Sequence, residues 1–151
     1  MSRLIYLDQG LALVPATLRR IVEKVDPSRY DERLATDRFT LREAIAHVTD
    51  MEPVLRWRME LAAKAPGSTV PNFDQDEEAV AKNYAAWDVG QTLDLFAEER
   101  AKTMAAYRSF SEAQLKLCVT HPILGEVSIF DLAVFVLGHD MYHLDQASAY
   151  L

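Results

Sequence analysis

Two histidines four residues apart, His139 and His143, lie in the most apolar stretch of the sequence that has a helical pattern. A spacing of four places both imidazole rings on one face of a helix. Leu132, Phe135 and Val136 fall on the same face, so we expect the rings to point into a core. Neutral imidazole nitrogens in this arrangement are typical ligands of a divalent metal ion. Two histidines without a metal, each with ordinary hydrogen bonds, explain the pair equally well.

The search for a third ligand is short, because His47 and His121 are the other histidines of the sequence. His47 lies about two turns into a segment that begins with the capping-box residues Thr40 and Glu43, and a rigid helix is a suitable place for a ligand. His121 precedes Pro122, which disfavours helical backbone at that position. We therefore expect His47 to be the third ligand. His121 is expected in a loop, near the mouth of the site or on the surface.

Three polar residues near these histidines are candidates for orienting a metal ligand. Gln146, three residues beyond the last histidine, can bond to an imidazole or a bound water, or else to the backbone. Glu43 lies one helical turn before His47, and Asp50 lies about one turn after it. A helix cap is the simpler role for Glu43, and contact with solvent is the simpler role for Asp50.

Two further residues are candidates for a substrate pocket, Arg100 and Tyr142. Arg100 interrupts the apolar face of a third helix and can hold an anionic substrate group, although such arginines more often pair with an acid or extend to the surface. Tyr142 directly precedes the last histidine. The single cysteine, Cys118, excludes an internal disulfide and is interpreted as a small buried residue. Asp140 stands where the metalloprotease motif HExxH has glutamate, so protease chemistry is not expected.

Four long helices and some shorter pieces are predicted to position these residues. The first spans much of the first 25 residues with a kink at Pro15, because its apolar residues repeat every three or four positions: Leu4, Leu7, Leu11, Val14, Leu18, Ile21 and Val25. The second runs from residue 40 to about residue 65, and Pro53 predicts a bend beyond its histidine. The third begins at an Asp88 cap and the fourth at a Ser128 cap. A short helix begins near Asp74.

Three segments together resemble a known family. They are residues 41–48, the His121-Pro122 turn with Gly125, and residues 139–146, which have the pattern HxxxHxxQ. Over nearly its whole length the chain is similar to the DinB superfamily of DinB/YfiT-like metal-binding proteins. The resemblance implies an all-α four-helix bundle with long crossover connections, which the long stretches 26–40 and 66–88 also favour. It further implies a homodimer and a divalent metal, zinc or nickel, on three histidines: His47, His139 and His143.

The resemblance also implies a range of activities. Members of the family include transferases and isomerases that use low-molecular-weight thiols, and others are described as metal-dependent hydrolases. Our first expectation is therefore a metal-dependent enzyme, a thiol-dependent S-transferase or isomerase, whose partners are a small-molecule substrate and a low-molecular-weight thiol. A metal-dependent hydrolase and a metal-binding stress-response protein without catalysis are the alternatives.

Composition narrows the remaining possibilities. The 151 residues, half of them hydrophobic, are enough for one substantial core, so we expect a single domain over residues 1–151. A formal net charge of −7 argues against nucleic acid as a partner, since phosphate binding requires a basic surface. No apolar run reaches the roughly 20 residues of a membrane span, and residues 1–8 lack the apolar core of a signal peptide. We expect a cytoplasmic protein without membrane contacts.

Overall fold

Four long helices carry the fold in the computed structural model, which describes residues 5–151. The helices are α1 (Ile5–Val22), α2 (Leu41–Lys64), the short α3 (Gln75–Ala81), α4 (Val89–Ser109) and α5 (Ile129–Ser148). Each of α1 and α2 packs against both α4 and α5, so the consecutive helices α1 and α2 lie across the bundle from each other. The long connections before α2 and α4 make this order possible. The predicted four-helix bundle with crossover connections is confirmed.

The helices begin where their capping residues predict. Thr40 and Glu43 form a capping box at the start of α2: the Thr40 amide donates to the Glu43 carboxylate at 2.9 Å, and the Thr40 hydroxyl accepts from the Glu43 amide at 3.2 Å. Ser128 and Asp131 form a second capping box at the start of α5, with both bonds at 3.0 Å. Asp88 caps α4 by accepting from a backbone amide. These caps satisfy amides that the first helical turn leaves unpaired.

Two prolines lie inside helices without ending them. The chain is already helical at Ile5 and stays helical through Pro15 to Val22, so the apolar repeat located this helix correctly. The buried face of α1 carries Leu11, Val14, Leu18 and Val22. Leu4, the first residue of the predicted repeat, lies outside the described residues. Helix α2 likewise continues through Pro53.

A small β-hairpin precedes α5, and the sequence patterns did not predict it. Strands β1 (Cys118–His121) and β2 (Gly125–Ser128) are antiparallel, with Val119 opposite Val127 and His121 opposite Gly125. The prediction that His121 is a loop residue is wrong, because this residue ends β1. Pro122 excludes helix at the preceding position but allows extended backbone there, which the strand uses. Gly125 has a φ of +74°, as the three-residue turn requires.

The apolar core forms two clusters along the bundle. One includes Met51 and Met104 and extends beneath the hairpin, and the other includes Val48 and Phe96 and fills the opposite end. Some buried polar residues lie between the two clusters, as Arg100 does between Phe96 and Met104 and Asp140 does between Val136 and Ala147. Within residues 5–151, no helix has the length and apolar character needed to cross a membrane.

Candidate metal centre

Three histidines from two helices converge at the boundary between the core clusters. Helix α2 contributes His47, and α5 contributes His139 and His143. The Nε2 atom of His139 lies 2.9 Å from Nε2 of His47 and 3.2 Å from Nε2 of His143. Each of the three residues offers a nitrogen within 4.8 Å of the other two, and they form the one cluster of possible metal ligands found in residues 5–151. His121 lies outside it.

A glutamine fixes the proton of one imidazole. The Gln146 amide nitrogen donates to the Phe39 carbonyl at 2.9 Å, so its carbonyl oxygen faces His143. That oxygen lies 2.9 Å from His143 Nδ1, which must therefore carry a proton and donate it. The Nε2 atom of neutral His143 then has a free lone pair directed at the cluster. This contact is the one expected of a residue that orients a metal ligand.

The three nitrogens cannot all be satisfied by neutral imidazoles alone. Because His143 Nε2 can only accept, His139 Nε2 must carry a proton to bond with it. The same nitrogen then has no lone pair left for His47, so one of the two close contacts has no complementary partner. A cation that accepts three lone pairs removes this conflict. Two imidazoles on one tetrahedral ion at about 2.0–2.1 Å have nitrogens roughly 3.3 Å apart, so the observed spacing fits a metal centre.

Burial keeps the rings in the neutral form that binds metal. His47 is 1% exposed, and burial lowers its pKa to about 3, with the neighbouring histidines adding to the effect. Burial also lowers the pKa of His139 to about 4, helped by His143 and Arg100. For His143 burial again lowers the pKa, and the bond with Gln146 opposes that change. At neutral pH the three rings therefore carry no extra proton, which is the state that metal binding requires.

Aromatic rings surround the three histidines. Phe39 and Phe73 lie against His47, with ring centroids 5.3 and 6.0 Å away. Phe135 stacks on His139 with an interplanar angle of 14°. His47 Nδ1 is buried and has no hydrogen-bond partner in the described part of the chain, so the polar contact of that ring is directed at the other histidines.

A polar cavity of about 320 Å³ opens beside the cluster. His143, Gln146 and Tyr142 line it, together with Arg33 and Arg38 of the segment before α2. Tyr142 is half exposed, and its ring packs edge-to-face with that of His143, with centroids 5.1 Å apart. Tyr142, a candidate pocket residue from the sequence, thus lines a cavity beside the histidines. The two arginines were missed, because they lie in a connecting segment without a periodic pattern.

Two of the predicted orienting residues have other partners. The Glu43 carboxylate caps its own helix and pairs with Arg33 at 3.0 Å, so the simpler role holds for it. Asp50 accepts from Tyr84 at 2.6 Å and from Lys82 at 2.8 Å. Neither carboxylate has a hydrogen bond to a histidine of the cluster among the described residues. Tyr84, which donates to Asp50, has its ring centroid 6.5 Å from that of His47.

Arg100 does not belong to the substrate pocket, which corrects the expectation from sequence. It is 2% exposed, and its guanidinium donates to Glu52 at 2.6 Å and to Asp140 at 3.0 Å. A further bond reaches the Leu11 carbonyl at 2.8 Å. The residue therefore joins α1, α2, α4 and α5, and its guanidinium is engaged by two carboxylates and a backbone carbonyl. Its acidic partners lie far away in sequence, so the apolar pattern of α4 alone did not reveal them.

Comparison with known proteins places this arrangement in a family. A model of the DinB superfamily matches residues 11–147. YfiT of Bacillus subtilis, named as a candidate metal-dependent hydrolase, is 24% identical over 139 residues, covering 90% of this chain and 77% of its own. A second protein so named, from Oceanobacillus iheyensis, is 23% identical over 141 residues, covering 91% and 81%.

A solved structure agrees with the sequence comparisons. The structure of Bacillus subtilis YfiT, described as having an unusual four-helix bundle topology, matches with a TM-score of 0.86 at 22% identity. The match covers 99% of this chain and 89% of the YfiT chain. The fold is therefore shared, with the three histidines held on the second and last long helices of this chain. The chain belongs to the DinB superfamily.

Proposed function

We propose that the protein is a metal-dependent enzyme that uses a low-molecular-weight thiol, either as an S-transferase or as a thiol-dependent isomerase. The observation that carries the proposal is the convergence of three neutral imidazoles, His47, His139 and His143, beside a polar cavity. A divalent ion on three protein nitrogens supplies an open position at which a thiol or a water loses its proton near neutral pH.

The carboxylates around the histidines favour a thiol over water as the nucleophile. A thiol ionises near pH 8.5 and water near 15.7, so water gains more from a carboxylate that accepts its proton. Asp140 pairs with Arg100, and Asp50 pairs with Lys82 and Tyr84. With these carboxylates engaged, the histidine centre suits a nucleophile that needs little help from a base.

The charges of the polar cavity support an anionic thiol. Arg38 lies over the ring of Tyr142, with its guanidinium carbon 5.6 Å from the centroid. Arg33 lines the same cavity and bonds to Glu43. Small thiols derived from cysteine carry carboxylate groups, which guanidinium groups recognise. We infer that Arg38 and Arg33 hold such a carboxylate while Tyr142 and Gln146 shape the wall beside it.

Hydrolysis is the second candidate function. The names of the two curated relatives support it, since both are described as candidate metal-dependent hydrolases. A metal-binding stress-response protein without catalysis is the third possibility.

We propose zinc or nickel as the ion, because imidazole ligands suit both. Elemental analysis of gently purified protein, with anomalous diffraction at the histidines, identifies the metal.

A thiol-transfer assay tests the first proposal. The metal-loaded protein is given L-cysteine or glutathione with 1-chloro-2,4-dinitrobenzene: the sulfur bonds to the ring carbon, chloride leaves and the thiol proton goes to solvent. We expect catalysis that His143→Ala removes together with the metal. Asp145→Ala, an exposed change on the same helix, is the matched control and keeps the activity.

The outcomes separate the three functions. A thiol-dependent rate equal in parent and His143→Ala contradicts metal-dependent transfer. Hydrolysis of 4-nitrophenyl acetate without thiol transfer favours the hydrolase. Tight metal retention with neither reaction favours the binding protein.

We also propose that the protein forms a homodimer through helix faces. Three large apolar side chains share one outer face of α5, and each is between 38% and 56% exposed: Phe130, Val134 and Met141. Light scattering at micromolar concentration should report twice the chain mass, and a monomer contradicts the proposal.

A further inference from the structure

A second cavity, of about 220 Å³, lies beneath the β-hairpin. Its wall is mostly apolar, with Met51, Val119, Val127 and Leu132 all less than a tenth exposed. Two cationic or titratable side chains also line it, Arg58 and His121. The cavity is separate from the polar one beside His143, since the two share no lining residue.

Arg58 is a buried arginine without an acidic partner among residues 5–151. It is 5% exposed, and its one hydrogen bond in the described part of the chain runs from Nη2 to the Pro71 carbonyl at 2.8 Å. Its Nε atom is buried without an acceptor, and no carboxylate of residues 5–151 forms a salt bridge with it. Burial lowers the pKa of this guanidinium. A charge held in this way is costly unless a ligand compensates it.

His121 presents a hydrogen-bond donor in the same cavity. Its Nδ1 atom accepts from the backbone amides of Ile123 and Leu124, each at 3.2 Å. The proton of the neutral ring must therefore be on Nε2. Arg58 and His121 thus both offer donors, so the cavity favours a ligand whose polar group only accepts. A carboxylate has this character and matches the fork of an arginine.

Two aromatic rings join this cavity to the metal centre. Phe135 lines the cavity and stacks on His139, with ring centroids 5.9 Å apart. Phe73 lines it as well, and its centroid lies 6.0 Å from that of His47. The histidines therefore lie between a polar cavity on one side and an apolar cavity on the other. This arrangement is suited to two substrates of different character.

We propose that the cavity beneath the hairpin binds a small organic acid with an apolar body. Its carboxylate lies on Arg58, and the apolar part lies along the Val119, Val127 and Leu132 wall. We assign this acid as the second substrate of the metal centre, an assignment that rests on the proposed function. The binding itself depends on Arg58 and is independent of the metal.

Calorimetric titration with 3-phenylpropionate and 3-phenylpropionamide tests the proposal. The two compounds match in size and differ in charge, so at least a tenfold tighter binding of the acid is expected. Arg58→Met should remove that preference while thermal unfolding stays at the parent temperature or rises, because an uncompensated charge is lost. Arg56→Met, two residues along α2 and paired with Glu99, is the matched control and should keep the preference.

A second variant and a metal-free measurement complete the test. Arg58→Lys keeps the charge but cannot form bidentate hydrogen bonds with a carboxylate, so the acid should bind several-fold more weakly. Acid binding should be the same in protein stripped with chelator. Equal affinity for acid and amide, or unchanged acid binding by Arg58→Met, overturns the proposal. Binding that requires the metal and ignores Arg58 also overturns it while leaving the proposed function intact. Arg58-dependent binding in a protein that takes up neither zinc nor nickel when these ions are added refutes the proposed function alone.

Discussion

The two almost fully buried arginines, Arg100 and Arg58, differ in what surrounds them. Arg100 lies between two carboxylates, those of Glu52 and Asp140, and also donates to a backbone carbonyl. Arg58 has one backbone carbonyl and no acid among the described residues. A charge that the chain compensates holds the structure together, whereas a charge that the chain leaves uncompensated indicates a missing partner. This difference separates polar residues that stabilise the fold from polar residues that bind a ligand.

The histidine centre resembles Arg58, because its polar groups also lack complementary partners within the described part of the chain. His139 faces two other Nε2 atoms, and neutral rings can satisfy only one of these contacts. Both groups lie on the walls of the two cavities. Arg100, in contrast, is 2% exposed and its guanidinium is bonded to residues of three other helices. The comparison therefore predicts that the Arg100 cluster sets stability, and that the histidines and Arg58 set binding.

Removal of Arg100 should have the largest effect on folding. Arg100→Met leaves Glu52 and Asp140 buried without their guanidinium, and breaking a buried pair in this way costs about 3–5 kcal/mol of the free energy of unfolding. Urea unfolding followed by circular dichroism measures the loss. Arg58→Met is the matched control and should change the same free energy by less than about 1 kcal/mol. Equal losses for the two variants would remove the distinction between the arginines.

Removal of a histidine should affect metal binding more than folding. His139→Ala takes away one of three nitrogens, so the metal affinity should fall by more than the roughly 10–100-fold loss expected for an outer partner. The helical circular dichroism spectrum should persist, because the two apolar clusters do not include this residue. Titration with zinc or nickel against a competing chelator gives the affinity. An unchanged affinity contradicts the assignment of His139.

The sequence located the histidine centre because its signals are local. The spacing of four in α5, the capping box before His47 and the glutamine three residues after His143 all depend on short separations along the chain. The caps and apolar repeats placed the long helices for the same reason. Each of these features is set by helix geometry, which the sequence states directly.

Features that depend on distant contacts were missed. Arg100 is 48 residues from Glu52 and 40 from Asp140, so its partners cannot be read from its helix. The hairpin strands are four residues each, too short for a periodic signal. They are supported by a backbone bond from Val70 to the Thr120 carbonyl at 3.0 Å, from a segment 50 residues earlier. The cavity with Arg58 forms where α2, the segment around Val70 and the hairpin meet.

A change at Gln146 should weaken metal binding without abolishing it. Gln146→Leu removes the acceptor that fixes the His143 proton on Nδ1, so part of the population no longer presents Nε2 as a ligand. We expect about a 10–100-fold loss of metal affinity, which corresponds to about 1.4–2.7 kcal/mol. The same chelator competition measures it. Gln91→Leu, an exposed glutamine on α4, is the control, and a loss as large in that variant would show that the effect is not specific to the centre.

The stability of metal-free protein should depend on pH through the same histidines. Burial lowers the pKa of His47 to about 3 and that of His139 to about 4, from 6.5 in the unfolded chain. Below pH 6.5 the unfolded state therefore binds more protons, so the stability present above that pH is lost as the pH falls toward the folded values. Each histidine contributes about 1.4 kcal/mol per pH unit to this slope.

Urea unfolding at several pH values between about 6.5 and 5, with chelator present, isolates the contribution of one ring. His47→Gln removes one titrating group, so its unfolding free energy should fall with a slope shallower by about 1.4 kcal/mol per pH unit than that of the parent. Gln91→Leu changes an exposed side chain that does not titrate, and it should retain the parent slope. If His47→Gln has the parent slope as well, His47 is not held neutral by burial. The histidine centre would then lack the neutral, buried His47 that the structure indicates.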